Sequence, residues 1–110
     1  MPPELRAAIA EVRERFIASL MAMVLDLEHQ CTLLEDPAQS RAALETAGRM
    51  VHKVAGIAKN VGFPELGLQA ANLDGRIQRV LRMPLDNELD RSLQPRLEAL
   101  MDMMEQALDA

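Results

Sequence analysis

The sequence lacks tryptophan and tyrosine and contains only two phenylalanines, Phe16 and Phe63. Its apolar bulk comes instead from Leu, Ala and eight Met residues, a composition that favours helices over strands. The hydrophobic fraction of 49% is enough for a soluble globular core, and 110 residues suit one compact domain. We therefore expect a single all-α domain over residues 1–110.

Other absences exclude several classes of function. The one cysteine, Cys31, has no partner for an intramolecular disulfide and lies in an apolar helical stretch, so we interpret it as a buried core residue in a reducing cytoplasm. Residues 1–4 lack the basic start of a secretory signal, and no stretch approaches the roughly 18 apolar residues of a membrane span. The net charge is −5, with scattered basic residues. We expect a cytoplasmic protein that binds neither membrane nor nucleic acid.

Hydrophobic periodicity predicts a long first helix. After Pro2 and Pro3, no Pro or Gly interrupts the residues from Glu4 to Leu34. One face, which we expect to be buried, has apolar residues in steps of three and four: Leu5, Ile9, Val12, Phe16, Leu20, Met23, Leu27, Cys31 and Leu34. Such a helix would span about 46 Å, which is longer than the rest of the chain can cover, so we expect a bend or an overhanging first part.

Proline and glycine residues set the bounds of the second helix. Asp36 and Pro37 are a typical helix entry, and Gln39 can reach back to the helix start. Gly62 is a candidate left-handed terminator at the other end. The inner face is predicted to contain Leu44, Ala47, Val51, Val54, Ala58 and Val61.

The third and fourth helices follow by the same reasoning. Pro64 opens the third helix, which is expected to end near Arg82. Its inner face is predicted to contain Leu66, Ala70, Leu73, Ile77, Val80 and Leu81. The fourth apolar stripe consists of Leu85, Leu89, Leu93, Leu97, Leu100, Met104 and Leu108. Because this stripe stays in phase across Pro95, we expect one helix kinked at that proline. Four amphipathic helices with short connections predict an antiparallel up-and-down four-helix bundle.

His52 is the residue whose position indicates chemistry. The only other histidine, His29, is interpreted as a surface or boundary residue of the first helix. His52 points about 130° away from the apolar stripe of the second helix, so its imidazole is expected to face solvent. Gly48 and Gly56 lie one turn before and after it, and each costs a helix about 1 kcal/mol relative to Ala. They either leave room for a partner or allow tight helix packing, and the sequence favours neither interpretation.

Charged residues near His52 either support anion chemistry or are simply solvated. Arg49 lies three residues before the imidazole and Lys59 seven after it, both on the outer face. The third helix returns antiparallel to the second and offers Asp74 near its middle. The Asp74 carboxylate could hold one ring nitrogen as N–H and leave the other as a nucleophile, or it could be a plain surface residue.

The segments 50–58, 61–66 and 70–74 resemble the histidine-containing phosphotransfer (Hpt) domain, including the Hpt domains at the front of chemotaxis kinases. The pattern consists of His52, then Gly56 at +4, Gly62 at +10, Leu66 at +14 and Asp74 at +22. This combined spacing is far more specific than any one of its parts. The resemblance extends more loosely from about residue 12 to residue 108.

That resemblance implies a four-helix bundle in which an exposed histidine accepts a phosphoryl group from an aspartyl phosphate and donates it to another aspartate. His52 would be the phospho-acceptor. Asp74 would hydrogen-bond its inner nitrogen and fix the tautomer, and Gly56 would leave room for the docking receiver domain.

One position departs from the family pattern. The family often has Lys three residues after the histidine, where this chain has Ala55. Lys53 or Lys59 could take its place. The surface expected to meet the phosphate or the partner therefore consists of Gly56, Lys53, Lys59, Arg49 and Ala55.

The expected function is histidine phosphotransfer in a two-component phosphorelay, between a receiver-domain aspartate or histidine kinase and a response regulator. The sequence has no Gly-rich nucleotide loop and no metal-ligand cluster of convincing spacing. We therefore expect a monomeric, free-standing carrier rather than a kinase, with no cofactor of its own and with Mg²⁺ supplied by the receiver domain.

Two alternatives stay open. One is a helical adaptor that docks on a receiver or another signalling partner without carrying phosphate. A metal-binding or redox bundle is the weaker alternative, because two histidines and one cysteine provide too few ligands.

Overall fold

The computed structural model describes residues 1–109, which fold into α-helices joined by short connections. The elements are α1 (Pro3–Leu34), α2 (Ser40–Ala58), a 3₁₀ turn (Lys59–Val61), α3 (Pro64–Leu81), α4 (Asn87–Arg91) and α5 (Gln94–Leu108). α1 packs against α2 and α5, and α3 packs against the same two helices. The four long helices thus enclose one core, which confirms the predicted all-α antiparallel bundle.

α1 extends beyond the bundle. Its 32 residues span about 48 Å, close to the longest dimension of the molecule, 50 Å. The apolar face is buried from Phe16 onward, whereas Leu5 and Val12 are 49% and 43% exposed. The predicted overhang is confirmed. The predicted burial of the whole stripe is wrong for its first part, because α2 has only 19 residues and ends before it can cover that part.

α1 also corrects the prediction that no segment is apolar enough to span a membrane. Within residues 1–109, it is the one helix that meets the length and composition of a membrane span. Seven of its side chains between Phe16 and Leu34 are buried in the core, however, and the core helix of a soluble protein can meet the same criterion. We therefore interpret α1 as a core helix.

The connection between α2 and α3 is held by α1. Gly62 adopts a φ of 98°, the left-handed conformation predicted for a helix terminator. Arg13 of α1 donates a hydrogen bond from Nη1 to the Val61 carbonyl at 2.6 Å and lies 4.5 Å from the centroid of the Phe63 ring. Pro64 then begins α3, as predicted. These contacts fix the tip of the α2–α3 hairpin against the first helix.

α2 begins at Ser40 rather than at the predicted entry of Asp36 and Pro37. The Asp36 carboxylate accepts hydrogen bonds from Gln39 Nε2 and from the Ala38 backbone N–H, both at 3.0 Å, and these bonds lower its pKa. The contacts close a turn ahead of the helix instead of capping the first helical turn. The reach of Gln39 toward Asp36 is therefore confirmed, and the helix boundary is wrong.

A buried polar cluster joins the start of α2 to α4. Ser40 Oγ donates a hydrogen bond to Asn87 Oδ1 at 2.7 Å and lies 3.3 Å from Asp90 Oδ2. Arg41 Nη2 lies 3.3 Å from Asp90 Oδ1, an ion pair without the alignment of a hydrogen bond. Asp90 is completely buried, and the Arg41 guanidinium is the charged group that pairs with it. The cluster explains why α2 begins where Ser40 can meet α4.

The C-terminal segment forms two helices rather than the predicted kinked helix. α4 ends at Arg91, and α5 begins three residues later with Pro95 at its second position. Pro95 has no backbone N–H and would clash with the carbonyl four residues before it, so the helix ends ahead of it. The apolar stripe still continues across the break through buried Leu93. Leu85 precedes α4 and is exposed, against the prediction.

Leucine, alanine and methionine fill the core. Five of the eight methionines are buried or packed against it: Met23, Met50, Met101, Met103 and Met104. Cys31 is buried as predicted, and burial together with the nearby Glu98 and Glu28 charges raises the pKa of its thiol to about 11. The predicted inner faces of α2 and α3 are buried except at Leu81, which is half-buried.

Candidate functional site

His52 lies on the outer face of α2 between the buried residues Val51 and Val54. Its side chain is 76% exposed, which confirms the direction predicted from helical geometry. Because the buried neighbours hold the helix in place, the backbone beneath the imidazole is fixed while the ring faces solvent.

Asp74 reaches His52 from α3, the other helix of the hairpin. Its Oδ2 lies 2.8 Å from Nδ1 of His52, and its side chain is only 18% exposed. An ionised carboxylate accepts hydrogen bonds only, so Nδ1 of a neutral ring is the nitrogen that carries the proton. The free electron pair is then on Nε2, on the opposite side of the ring.

The second carboxylate oxygen of Asp74 has no competing partner. Within residues 1–109, Oδ1 is buried and accepts no hydrogen bond. The hydrogen bond to His52 is therefore the polar contact that this carboxylate makes inside the protein. A half-buried acid of this kind orients the ring more firmly than a fully solvated one, since water competes less for Oδ2.

The two glycines that flank His52 have different environments. A Cβ atom at Gly56 would meet no heavy atom within 4 Å, whereas one at Gly48 would lie 3.0 Å from Cγ2 of Ile77. Gly48 therefore serves tight packing between α2 and α3. Gly56 is exposed and serves no packing contact, which leaves the surface one turn after His52 free of side-chain bulk.

Arg49 shares a surface cleft with His52. The cleft has a volume of about 410 Å³ and is lined by Glu45, Gly48, Arg49, His52, Gln78 and Leu81. Arg49 is exposed, and its Nη2 donates a hydrogen bond to Thr46 Oγ1 at 3.2 Å. A positive charge thus lies in the same cleft as the exposed imidazole.

Sequence reasoning missed Gln78, which lines this cleft from α3. It lies four residues after Asp74, so the two side chains share one flank of the helix. That spacing was the signal that could have identified it.

The other predicted surface residues lie elsewhere. Lys53 borders a different groove, between α1 and α2, which it shares with Phe16 and Ile57. Ala55 is half-buried and packs against the core. Lys59 is exposed in the 3₁₀ turn, one helical turn beyond Gly56 along the chain. Arg49 is therefore the one predicted basic residue that lines the His52 cleft.

Metal-ligating residues do not converge in the described part of the chain. No group of three or more His, Cys, Asp or Glu residues that could hold a metal ion occurs within residues 1–109. His29 is exposed on α1, in agreement with its interpretation as a surface residue.

Comparison with known proteins gives one match. The family model described as "Hpt domain" matches residues 11–110. No curated protein matches the chain, and no solved structure matches it.

Proposed function

Because this chain belongs to the Hpt domain family and so has a phosphotransfer role in two-component signalling, we propose that His52 carries the phosphoryl group. In this role, His52 accepts the group from the aspartyl phosphate of a receiver domain or from a histidine kinase, and a response regulator then takes it up. The hydrogen bond of 2.8 Å between Nδ1 of His52 and Oδ2 of Asp74, on a ring that is 76% exposed, is the observation that carries the proposal.

The ring can react without moving a proton. Nε2 attacks phosphorus with its free electron pair, an N–P bond forms, and the P–O bond to the partner aspartate breaks to release its carboxylate. The Nδ1 proton stays in the hydrogen bond to Asp74, whose negative charge stabilises the imidazolium that forms. In the onward transfer, an aspartate carboxylate of the response regulator attacks phosphorus, a P–O bond forms, and the N–P bond breaks so that its electron pair returns to Nε2.

Arg49 is the basic residue that we propose for the phosphoryl oxygens. It lines the cleft that contains His52, and a guanidinium group is suited to bind phosphoryl oxygens. Ala55 provides no charge at the position where the family often has Lys. Lys53 and Lys59 are proposed to contribute to attraction of an acidic partner rather than to contact with the transferring group.

The partner is proposed to approach over Gly56, where the helix carries no side chain. Ile57 and Lys53 border the neighbouring groove and would lie at the edge of the contact. The receiver would bring its own acidic pocket and Mg²⁺, which neutralises charge on the transferring group. We accordingly propose a cytoplasmic carrier that does not phosphorylate itself from ATP.

Phosphoryl transfer to the purified chain tests this proposal. The chain is mixed with a phosphorylated receiver domain and Mg²⁺, and the product is examined by mass spectrometry for an acid-labile, base-stable phosphate on His52. His52→Gln should abolish the label while leaving the melting temperature and receiver binding unchanged. A chain that binds several phosphorylated receivers but never gains the label would support the adaptor instead.

The role of Arg49 needs a separate comparison. Arg49→Ala should slow transfer by about fivefold, since an exposed, screened charge contributes on the order of 1 kcal/mol. Arg6→Ala removes the same charge from the exposed start of α1 and should leave the rate unchanged. Equal rates for both variants would exclude a direct contact between Arg49 and the phosphoryl group.

A further inference from the structure

A second groove lies between α3 and the α4–α5 segment. It consists of two adjoining clefts, and Arg76 and Arg96 line both of them. The larger cleft has a volume of about 490 Å³ and also contains Arg79. Its apolar lining consists of Val80, Met83, Leu89 and Leu93. The groove therefore combines basic side chains with an apolar floor.

The arginines of this groove have no acidic partners inside the protein. In the part of the chain that the structure describes, no ion pair joins Arg76, Arg79 or Arg96 to a carboxylate. All three side chains are exposed. By contrast, Arg13 and Arg41 are held by hydrogen bonds to backbone carbonyls of other elements. The groove arginines are thus available to an external partner.

The basic groove is unusual for a chain of net charge −5. Residues 76–96 contain five arginines and three acidic residues, one of which, Asp90, is buried. The acidic residues of α5 lie on its other flank, in a cleft shared with α1 that includes Glu98, Asp102 and Glu105. The surface charge is therefore segregated, with α5 as the boundary between a basic side and an acidic side.

We propose that this groove binds an acidic amphipathic segment of another protein. Its carboxylates would pair with the groove arginines, and its apolar side chains would cover the floor. Met83 is 49% exposed at this groove, and a flexible methionine adapts well to a partner's side chains. A nucleic acid fits less well, because the groove offers no aromatic side chain for base stacking and adjoins the acidic side of α5.

A second copy of this chain is a poorer occupant than a different protein. Its acidic α1–α5 cleft would have to lie on the basic groove of its neighbour, which is a contact between two different surfaces. Such head-to-tail contacts form rings or open filaments rather than a closed dimer.

The groove is separate from the His52 site. On α3, Asp74 faces α2, whereas Arg76 lies on the opposite flank beside α5. The two surfaces share no lining residue. Binding at the groove does not depend on phosphoryl transfer at His52. The binding test can therefore fail while the transfer test succeeds, and the reverse.

Fluorescence anisotropy with a defined probe tests the groove. The probe is a fluorescein-labelled amphipathic helical peptide, with Leu residues spaced i and i+4 along one face and Glu residues spaced i and i+4 along the adjoining face. Its control has Gln in place of every Glu. The full chain should bind the Glu peptide saturably, more weakly as salt is raised, and the Gln peptide far less. The double variant Arg76→Glu and Arg96→Glu should weaken binding by about tenfold or more. The matched variant Arg6→Glu and Arg15→Glu has the same net charge and should bind like the unmodified chain.

Several results would overturn the proposal. Equal binding by both double variants would mean that only net charge matters, and no saturable binding of the Glu peptide would mean that the groove is not a peptide site. Equal binding of a single-stranded oligonucleotide would make it a general anion surface. Self-association on sedimentation that disappears in the Arg76→Glu and Arg96→Glu variant would assign the groove to a second copy.

Discussion

Two substitutions at Gly56 test two properties separately: the stability of α2 and the access of a partner to His52. A Cβ atom at this position meets no heavy atom within 4 Å. Alanine therefore adds no clash and removes the penalty of an exposed helical glycine, about 1 kcal/mol. For a chain of 110 residues with an unfolding entropy of about 2.1 cal/mol/K per residue, this gain raises the melting temperature by about 4 °C.

Two other glycines provide matched controls for that stability change. Gly75 on α3 is equally open, so Gly75→Ala should give a similar increase in melting temperature. At Gly48, the added Cβ would lie 3.0 Å from Cγ2 of Ile77, which is completely buried. Overpacking of this kind costs about 1–3 kcal/mol, so Gly48→Ala should give no increase and is expected to lower the melting temperature.

A larger side chain at Gly56 tests the approach of the partner. Gly56→Leu should leave the chain folded, because the side chain extends into solvent, but it should slow phosphoryl transfer by about 100-fold through displacement of the receiver from His52. Circular dichroism melts and time courses of His52 labelling measure the two effects. A lower melting temperature for Gly56→Ala, or an unchanged transfer rate for Gly56→Leu, would refute the reasoning.

Four further predictions concern the site and the core. Asp74→Ala should slow labelling of His52 by about 10- to 100-fold, because Nδ1 loses the acceptor that fixes the tautomer. An unchanged tautomer distribution in ¹⁵N NMR spectra of the His52 ring would contradict this reason. Arg41→Ala should destabilise the fold by about 3–5 kcal/mol in urea unfolding, because Asp90 is left buried and unpaired, and the additional change Asp90→Asn should recover part of the loss. Cys31 should react with iodoacetamide far more slowly in the folded chain than in urea, since burial raises the pKa of its thiol from 9.0 to about 11 and the thiolate is the reactive form. As the pH rises from 9 toward 11, the unfolded chain loses this proton first, so stability should fall, and Cys31→Ala should reduce that fall.

The helices could be predicted from the sequence because each one is governed by local patterns. The steps of three and four from Phe16 to Leu34 follow from burial of one helical face, and the structure buries that face. Gly62 and Pro64 mark the α2–α3 connection because one accepts a positive φ and the other lacks an N–H. The direction of His52 follows from the same helical geometry.

The contact between His52 and Asp74 was also predictable. Once the turn at Gly62 is set, the antiparallel return of α3 determines which of its residues lies opposite the middle of α2. The phosphotransfer pattern of residues 52–74 encodes this register, and the distance of 2.8 Å agrees with it.

Features that depend on distant parts of the chain could not be predicted. α2 begins at Ser40 because its hydroxyl group meets Asn87, 47 residues later. The contact of Arg13 with the Val61 carbonyl joins residues 48 positions apart. The arginine groove depends on how α3 and α5 lie side by side, whereas the sequence shows only scattered basic residues. No local pattern encodes these contacts.

The proposed carrier needs a nucleophile that is both exposed and precisely oriented, and these requirements conflict for most surface side chains. Here they are met by opposite sides of one ring. Nδ1 faces Asp74, which is only 18% exposed, whereas the side chain as a whole is 76% exposed and leaves Nε2 to the partner. Because orientation comes from α3, residues of α2 around the ring need not supply it. A basic residue that assists phosphate can then lie on either flank of His52, which is compatible with the role proposed for Arg49 in a chain that has Ala55 where the family often has Lys.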